Sequence, residues 1–236
     1  MRTTLICMLT VFCTIGCRNK FDVSTNVCLK STETDQMYHG IDVSHYQGNI
    51  DWNLVAQDTN IQFVYIKATE GKSYLDDKYK LNIEQARNVG LLVGSYHYFR
   101  MTSSPQEQFE NIINNIDKTK QDLIPMIDVE TTDGKSVDEV RKALKTLISL
   151  MEKHYGKKTL IYGTMRSYNT ICVPDFNDHL LYIGRFSDSL PPQIKGVGEA
   201  VVWQFSEKAE IKGIPKQVDL CRLVNGIKVD DLKLGN

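Results

Sequence analysis

The chain has 236 residues, of which 28 are basic and 29 acidic, so its formal net charge at pH 7 is -1. This balance lacks the basic surplus of a nucleic-acid binder, and no nucleic-acid partner is expected. A content of 42 % hydrophobic and 24 % charged residues is typical of a soluble globular protein, and the length suffices for one barrel-sized domain.

The first 17 residues predict an export signal. Arg2 precedes an apolar stretch, residues 5–15, that is too short to span a bilayer, and Gly16 and Cys17 follow it. This ending resembles a bacterial lipoprotein signal, in which the Cys is lipidated and becomes the new N-terminus. We expect an exported protein, lipid-anchored through Cys17 in the bacterial envelope (outer membrane or cell surface). The alternative is plain secretion or a periplasmic location after cleavage near Gly16.

The exported chain is predicted to hold a polar linker, residues 18–38, and one domain, residues 39–236. It contains three cysteines, Cys28, Cys172 and Cys221. One disulfide and one free thiol are compatible with this number, and the spacing does not choose the pair. No two of them have the close spacing of a zinc site.

From residue 39 onward, apolar runs alternate with helical patterns. Strands are predicted at residues 40–44, 63–68, 91–99, 123–130 and 159–163. Capping boxes at Ser104 to Glu107 and at Ser136 to Glu139 begin the third and fourth helices, and Gly156 ends the fourth. An apolar stripe of Phe109, Ile112, Ile113 and Ile116 is expected to face the core from the third helix.

Three further strands, residues 180–186, 200–205 and 217–220, lack long amphipathic helices between them. The predicted fold is therefore α/β: a TIM-like β/α barrel with five β/α units followed by three strands lacking full helices. An open doubly wound sheet is the alternative, but no GxGxxG follows the first strand.

The fourth predicted strand, LIPMIDVE at residues 123–130, ends in two acids, Asp128 and Glu130. Residues two apart on a strand point to the same face, so the two carboxylates should project together, with Cα atoms about 7 Å apart. A buried strand that ends in paired acids is costly unless these acids have partners or a function.

Polar side chains also follow the other predicted strands, and the carboxyl ends of barrel strands meet at one mouth. Those residues are Asp42, Ser44, His45, Tyr96, His97, Tyr98, Arg185, Trp203, Gln204 and Asp219. Clustered carboxylates raise one another's pKa, so that one acid stays protonated near neutral pH, and aromatic rings suit sugar faces. This composition favours a carbohydrate hydrolase.

A metal site is the competing interpretation, because Asp42, His45 and His97 are possible ligands of a divalent ion. The sequence lacks HExxH and any HxxxH pair on one helix. We therefore expect neither a metal nor a cofactor.

Six segments together resemble the motifs of glycoside hydrolase family 25, the Chalaropsis-type lysozymes, which are N-acetylmuramidases acting on peptidoglycan. They are HGIDVSHYQGNIDW, IKATEG, GSYHYF, MIDVE, VVWQFS and GIPKQVDL, and they occur in the family's order from residue 39 to near the C-terminus. Two positions depart from the family pattern: Ile183 stands where Trp is usual and Cys221 where Asn is usual.

The resemblance implies roles for the acids. Glu130 matches the general acid and Asp128 the assisting carboxylate, while Asp42 and Asp219 match the other two acids of the site. The residues expected to bind substrate are Tyr96, His97, Trp203, Gln204 and Arg185.

The implied reaction is cleavage of the β-1,4 bond between N-acetylmuramic acid and N-acetylglucosamine in peptidoglycan glycan strands, by a monomeric enzyme. Substrate-assisted retention and direct inversion both remain open. A non-catalytic wall-binding module on the same fold is one alternative function, and a metal-dependent polysaccharide deacetylase is another.

Overall fold

Eight strands close into a barrel in the computed structural model, which describes residues 38–186 and 200–235. The barrel strands are β1 (Gly40–Val43), β2 (Phe63–Glu70), β4 (Leu92–Tyr98), β5 (Met126–Asp128), β6 (Leu160–Thr164), β7 (Leu181–Gly184), β8 (Ala200–Ala209) and β9 (Val218–Leu223). They pair in this order, and β9 pairs with β1 to complete the ring. The short strand β3 (Tyr74–Leu75) pairs with the end of β2.

Seven barrel strands are parallel, and β9 runs antiparallel to both of its neighbours, β1 and β8. The start of β9 therefore lies at the same mouth as the carboxyl ends of the other seven strands. The sequence did not predict this reversal, which brings the N-terminal part of β9 to the site.

The helices lengthen from α1 to α4, and only the last helix, α5, is short again. They are α1 (Trp52–Val55), α2 (Tyr79–Asn88), α3 (Pro105–Asn115), α4 (Val137–Tyr155) and α5 (Met165–Ser167). The last of these continues as a π-helical stretch, Tyr168–Cys172. The only helical element in the described residues after it is a 3₁₀ turn, Val229–Leu232. The predicted TIM-like barrel with a strand-rich tail is confirmed.

Local hydrogen bonds explain where the longer helices begin and end. Both predicted capping boxes are formed. The side chains of Ser104 and Ser136 accept from the backbone N–H groups of Glu107 and Glu139, whose side chains accept in return from the backbone N–H groups of the two serines. Gly156 ends α4 with a φ of 73°, a left-handed conformation that costs glycine little.

The face that α3 buries differs from the prediction. Ile112 and Ile116 are buried as expected, whereas Ile113 is 37 % exposed. The buried face includes the polar Gln108 and Asn111, because both side chains hydrogen-bond to the loops around the barrel mouth.

The predicted signal and the linker, apart from its last residue, lie outside the described residues. That residue, Tyr38, packs against the hydrophobic core, and its hydroxyl donates to Asp58 after α1. Cys172 and Cys221 are buried and form no disulfide, and Cys28 lies in the part not described. Within residues 38–186 and 200–235, no helix is long and apolar enough to cross a membrane.

Candidate active site

A pocket of about 120 Å³ opens at the barrel mouth. All four acids that the sequence singled out line it, together with three other polar side chains and a methionine. The lining residues are Asp42, Tyr96, Met126, Asp128, Glu130, Tyr162, Gln204 and Asp219.

Asp128 and Glu130 differ in exposure although they line the same pocket. Asp128 is the last residue of β5 and is buried, with no hydrogen-bond partner for its Oδ1. Glu130 lies two residues further on and is exposed, and the Tyr98 hydroxyl donates to its Oε2 over 3.3 Å. The strand ends at Asp128 rather than at residue 130, yet both carboxyl groups face the pocket.

The environment raises the pKa of both acids. Burial, and then the charge of Glu130, raise the pKa of Asp128 well above its usual range, while the Lys67 ammonium opposes this shift. Desolvation also raises the pKa of Glu130, against the hydrogen bond from Tyr98 and the Lys67 charge. Two carboxyl groups in one small pocket disfavour double ionisation, so the pair is suited to hold a proton near neutral pH.

Asp42 lies on the floor of the pocket in a fixed hydrogen-bond chain. Tyr162 donates to Gln204 Oε1 over 2.7 Å, and Gln204 Nε2 donates to Asp42 Oδ2 over 2.9 Å. Tyr182 donates to the same Asp42 oxygen. Gly184 gives this chain its space, because a Cβ there would lie 2.7 Å from the Tyr162 hydroxyl oxygen.

The side chains of two predicted substrate contacts, His97 and Trp203, do not line the pocket. His97 is fully buried behind β4, where Nδ1 lies 2.8 Å from Thr69 Oγ1 and Nε2 lies 3.0 Å from Gln108 Oε1. Tyr96 on the same strand lines the pocket. Because strand side chains alternate, Tyr96 and His97 cannot both face inward, and the expectation for His97 is not met.

Trp203 is also directed away from the pocket, for the same reason as His97. Gln204 faces inward, so Trp203 faces outward, where it is 1 % exposed and lies 5.2 Å from the Arg222 guanidinium. Its indole nitrogen donates to the backbone oxygen of Arg185. Arg185 itself has an exposed side chain just beyond β7 and does not line the pocket, and Ile183 is fully buried.

The sequence did not place Tyr162 or Lys67 at the site, and it placed Tyr98 at the mouth without giving it a role. Tyr162 lines the pocket, and the Tyr98 hydroxyl donates to Glu130. Lys67 is 9 % exposed, lies 2.7 Å from Glu70 and stands 4.9 Å from the ring centre of Tyr98. Tyr96 and Tyr98 are two residues apart on β4, and this alternation agrees with the predicted place of Tyr98 at the mouth.

Among the described residues, no group of three His, Cys, Asp or Glu side chains is arranged to hold a metal ion. His45, one of the conceivable ligands, is instead paired with Asp76, with Nδ1 2.7 Å from Oδ2.

The chain matches the family model of glycosyl hydrolases family 25 over residues 41–214. It is 34 % identical to the uncharacterized protein YegX of Escherichia coli K12 over 185 residues, covering 77 % of this chain and 67 % of that protein. It is 31 % identical to the autolytic lysozyme of Clostridium acetobutylicum over 191 residues, covering 80 % of this chain and 57 % of that protein.

The barrel is similar to the solved structure of a family 25 glycosyl hydrolase from Bacillus anthracis. The TM-score is 0.73 with 32 % sequence identity, and the match covers 81 % of this chain and 90 % of the other. The family match extends from β1 to the loop before β9, so it includes Asp42, Asp128 and Glu130. This chain belongs to glycosyl hydrolases family 25.

Proposed function

We propose that this glycoside hydrolase is a muramidase that cleaves the β-1,4 bond between N-acetylmuramic acid and N-acetylglucosamine in peptidoglycan. The observation that carries the proposal is the pocket in which Asp128 and Glu130 lie beside Asp42 and Asp219. The similarity to a protein named as an autolytic lysozyme supports peptidoglycan as the substrate.

Glu130 is the general acid in this proposal. Its carboxyl group is exposed at the mouth, where a glycosidic oxygen can reach it, and desolvation raises its pKa so that it can carry a proton. Tyr98 holds one of its oxygens and thereby orients the other. Glycosidases commonly use an acid with a raised pKa to protonate the leaving oxygen.

Asp128 assists as the second carboxyl group. It is buried deeper than Glu130, and its unpartnered Oδ1 is available to accept a hydrogen bond from bound substrate. As the oxocarbenium-like charge develops, a negative charge at this position would stabilise the transition state. Asp42 and Asp219 complete the acidic lining, and Tyr96 and Gln204 form part of the wall and floor.

The decisive experiment is an assay of the purified protein on peptidoglycan, with identification of the new reducing ends. Reducing N-acetylmuramic acid ends support a muramidase, and the anomer first released assigns retention or inversion. Tight binding without new ends would instead indicate the wall-binding module. Release of acetate that a chelator abolishes would indicate the deacetylase.

We also propose that the protein acts in the cell envelope, anchored by a lipid on Cys17. The support is the signal pattern in residues 1–17, which lies outside the described residues. Labelled palmitate should appear on the wild-type protein and be absent from Cys17→Ser, which should leave the membrane fraction. Wild-type protein that carries no label, or Cys17→Ser protein that remains with the membranes, would exclude the anchor.

A further inference from the structure

Arg100 follows the end of β4 and lies two residues beyond Tyr98, whose hydroxyl donates to Glu130. The proposed mechanism gives this arginine no role. Its side chain is 33 % exposed, and the carbon of its guanidinium lies 5.8 Å from the centre of the Tyr98 ring. An aromatic face attracts a cation at this distance, and the attraction is stronger where water is partly excluded. Arg100 is therefore placed to hold the Tyr98 ring.

The same guanidinium joins two acids from different loops. Nη1 lies 3.7 Å from Glu70 Oε1, and Nη2 lies 3.3 Å from Asp133 Oδ1. Glu70 ends β2, whereas Asp133 lies three residues after Glu130 in the loop between β5 and α4. A guanidinium is a planar fork with several donors, so it is suited to bind two carboxylates at once. Arg100 thus connects the loop that carries Glu130 to the end of β2.

The backbone on both sides of this bridge is fixed. The buried Gln108 side chain accepts from the Arg100 backbone nitrogen over 3.0 Å and donates to the Arg100 backbone oxygen over 2.8 Å. Asp133 Oδ2 accepts from the Met101 backbone nitrogen over 2.8 Å. Asp133 has a φ of 47°, a left-handed conformation that costs energy outside glycine and persists where contacts hold it. The loop that carries Glu130 is therefore tied to the segment after β4 at two points.

A second cation, Lys67, contacts the same aromatic ring. Its Nζ lies 2.7 Å from Glu70 Oε2 and 4.9 Å from the centre of the Tyr98 ring. Because Glu70 pairs with both Lys67 and Arg100, it holds two cations beside Tyr98. Charges that form such a network are more effective than an isolated surface ion pair.

From these contacts, we infer that Arg100 is a positioning residue for the proposed general acid, and that it holds the Tyr98 hydroxyl on Glu130. The inference rests on the proposed function, because it takes Glu130 to be the proton donor. A general acid must lie within hydrogen-bond reach of the leaving oxygen, and a small misplacement slows the chemical step. Loss of Arg100 should therefore lower kcat and leave KM nearly unchanged.

The test measures kcat and KM on soluble glycan strands that an amidase has freed of their stem peptides. Arg100→Gln should lower kcat about tenfold, within the range for residues of one network, and keep KM within about twofold of wild type. Arg100→Lys keeps the charge but lacks the fork that reaches Glu70 and Asp133 together, so its kcat should be intermediate. Arg87→Gln is the matched control, since Arg87 is 34 % exposed and pairs with Asp122 at the opposite end of the barrel. It should keep the kcat of wild type.

A double variant separates positioning from a general effect on folding. Tyr98→Phe already lacks the hydrogen bond to Glu130, so adding Arg100→Gln should lower its kcat by no more than about a further twofold. All assays are run well below the melting temperature of the least stable variant. If Arg100→Gln does not fold, Arg100→Lys is compared in the wild-type and Tyr98→Phe backgrounds, with the same expectation of a smaller loss in the second.

Three results would overturn the inference. They are an unchanged kcat in Arg100→Gln, an equal loss of kcat with and without the Tyr98 hydroxyl, and a raised KM with unchanged kcat. The last result would assign Arg100 to a direct contact with the glycan. Failure of the proposed function is distinguishable, because it appears as an absence of new reducing ends with wild-type protein.

Discussion

Asp42 and Asp219 are direct partners across the antiparallel pairing of β1 with β9, and both carboxyl groups line the pocket. Burial, and then the charge of Asp219, raise the pKa of Asp42 to about 7. Burial and the charges of Glu207 and Glu130 raise the pKa of Asp219 to about 6. Ionising this pair therefore costs the folded protein stability, as is common where a site is arranged for function rather than for stability.

The first prediction concerns the stability cost of Asp42. Between about pH 4 and pH 7 the folded state holds a proton on Asp42 that the unfolded state has lost, so stability falls as pH rises through this window. Asp42→Asn removes the charge and keeps the shape. Its free energy of unfolding at pH 8 should exceed that of wild type by up to about 4 kcal/mol, with little difference at pH 4. Urea unfolding at the two pH values measures this, and a variant less stable than wild type at pH 8 would contradict it.

The second prediction concerns the proposed proton donor. Glu130→Gln should lower turnover on peptidoglycan by at least about 100-fold, the usual scale for loss of a general acid. Because Glu130 is exposed, the melting temperature of the Glu130→Gln protein should stay close to that of wild type. Glu110→Gln, which changes an exposed acid on the outer face of α3, is the control and should keep full activity. Near-normal turnover of Glu130→Gln would contradict the assignment of Glu130 as the general acid.

The third prediction tests the placement of His97 behind its strand. His97→Gln should lose about 1 to 3 kcal/mol of stability at pH 7.5, since buried hydrogen bonds to Thr69 and Gln108 are disturbed, while KM stays within twofold. Burial lowers the pKa of His97 to about 4, so the unfolded state binds the extra proton and wild-type stability falls as pH drops from about 6.5 to 4. Glutamine has no imidazole to protonate, so the stability of His97→Gln should not fall in this way. The difference in free energy of unfolding between wild type and variant should therefore become smaller in acid. A raised KM with unchanged stability would favour a substrate contact instead.

The fourth prediction concerns Lys67, whose charge lowers the pKa of Asp128 and of Glu130. Lys67→Met should move the acidic limb of the kcat/KM profile to higher pH, because both acids then hold their protons more tightly. Lys67→Arg keeps a positive charge and should shift the limb less. Lys72→Met, at an exposed lysine paired with Glu107, is the matched control. An unmoved acidic limb in Lys67→Met would exclude an electrostatic role for this residue.

Local sequence determined several features of this protein without help from the fold. Ser104 and Glu107, like Ser136 and Glu139, lie three residues apart and satisfy each other's backbone groups within one helical turn. The alternation of strands and helices indicated the barrel, because parallel strands need crossover connections. The barrel in turn predicted that acids at strand ends would meet at one mouth, as Asp42, Asp128 and Glu130 do.

The tertiary structure decided which side chains enter the pocket. Consecutive strand residues face opposite sides, and only the closure of the barrel fixes that Tyr96 and Gln204 point inward while His97 and Trp203 point outward. It also fixed the direction of β9, which brings Asp219 opposite Asp42. Closure of the barrel and the direction of β9 depend on the pairing of β1 with β9, whose partners, such as Asp42 and Asp219, lie more than 100 positions apart in the chain. No short sequence pattern encodes such a pairing.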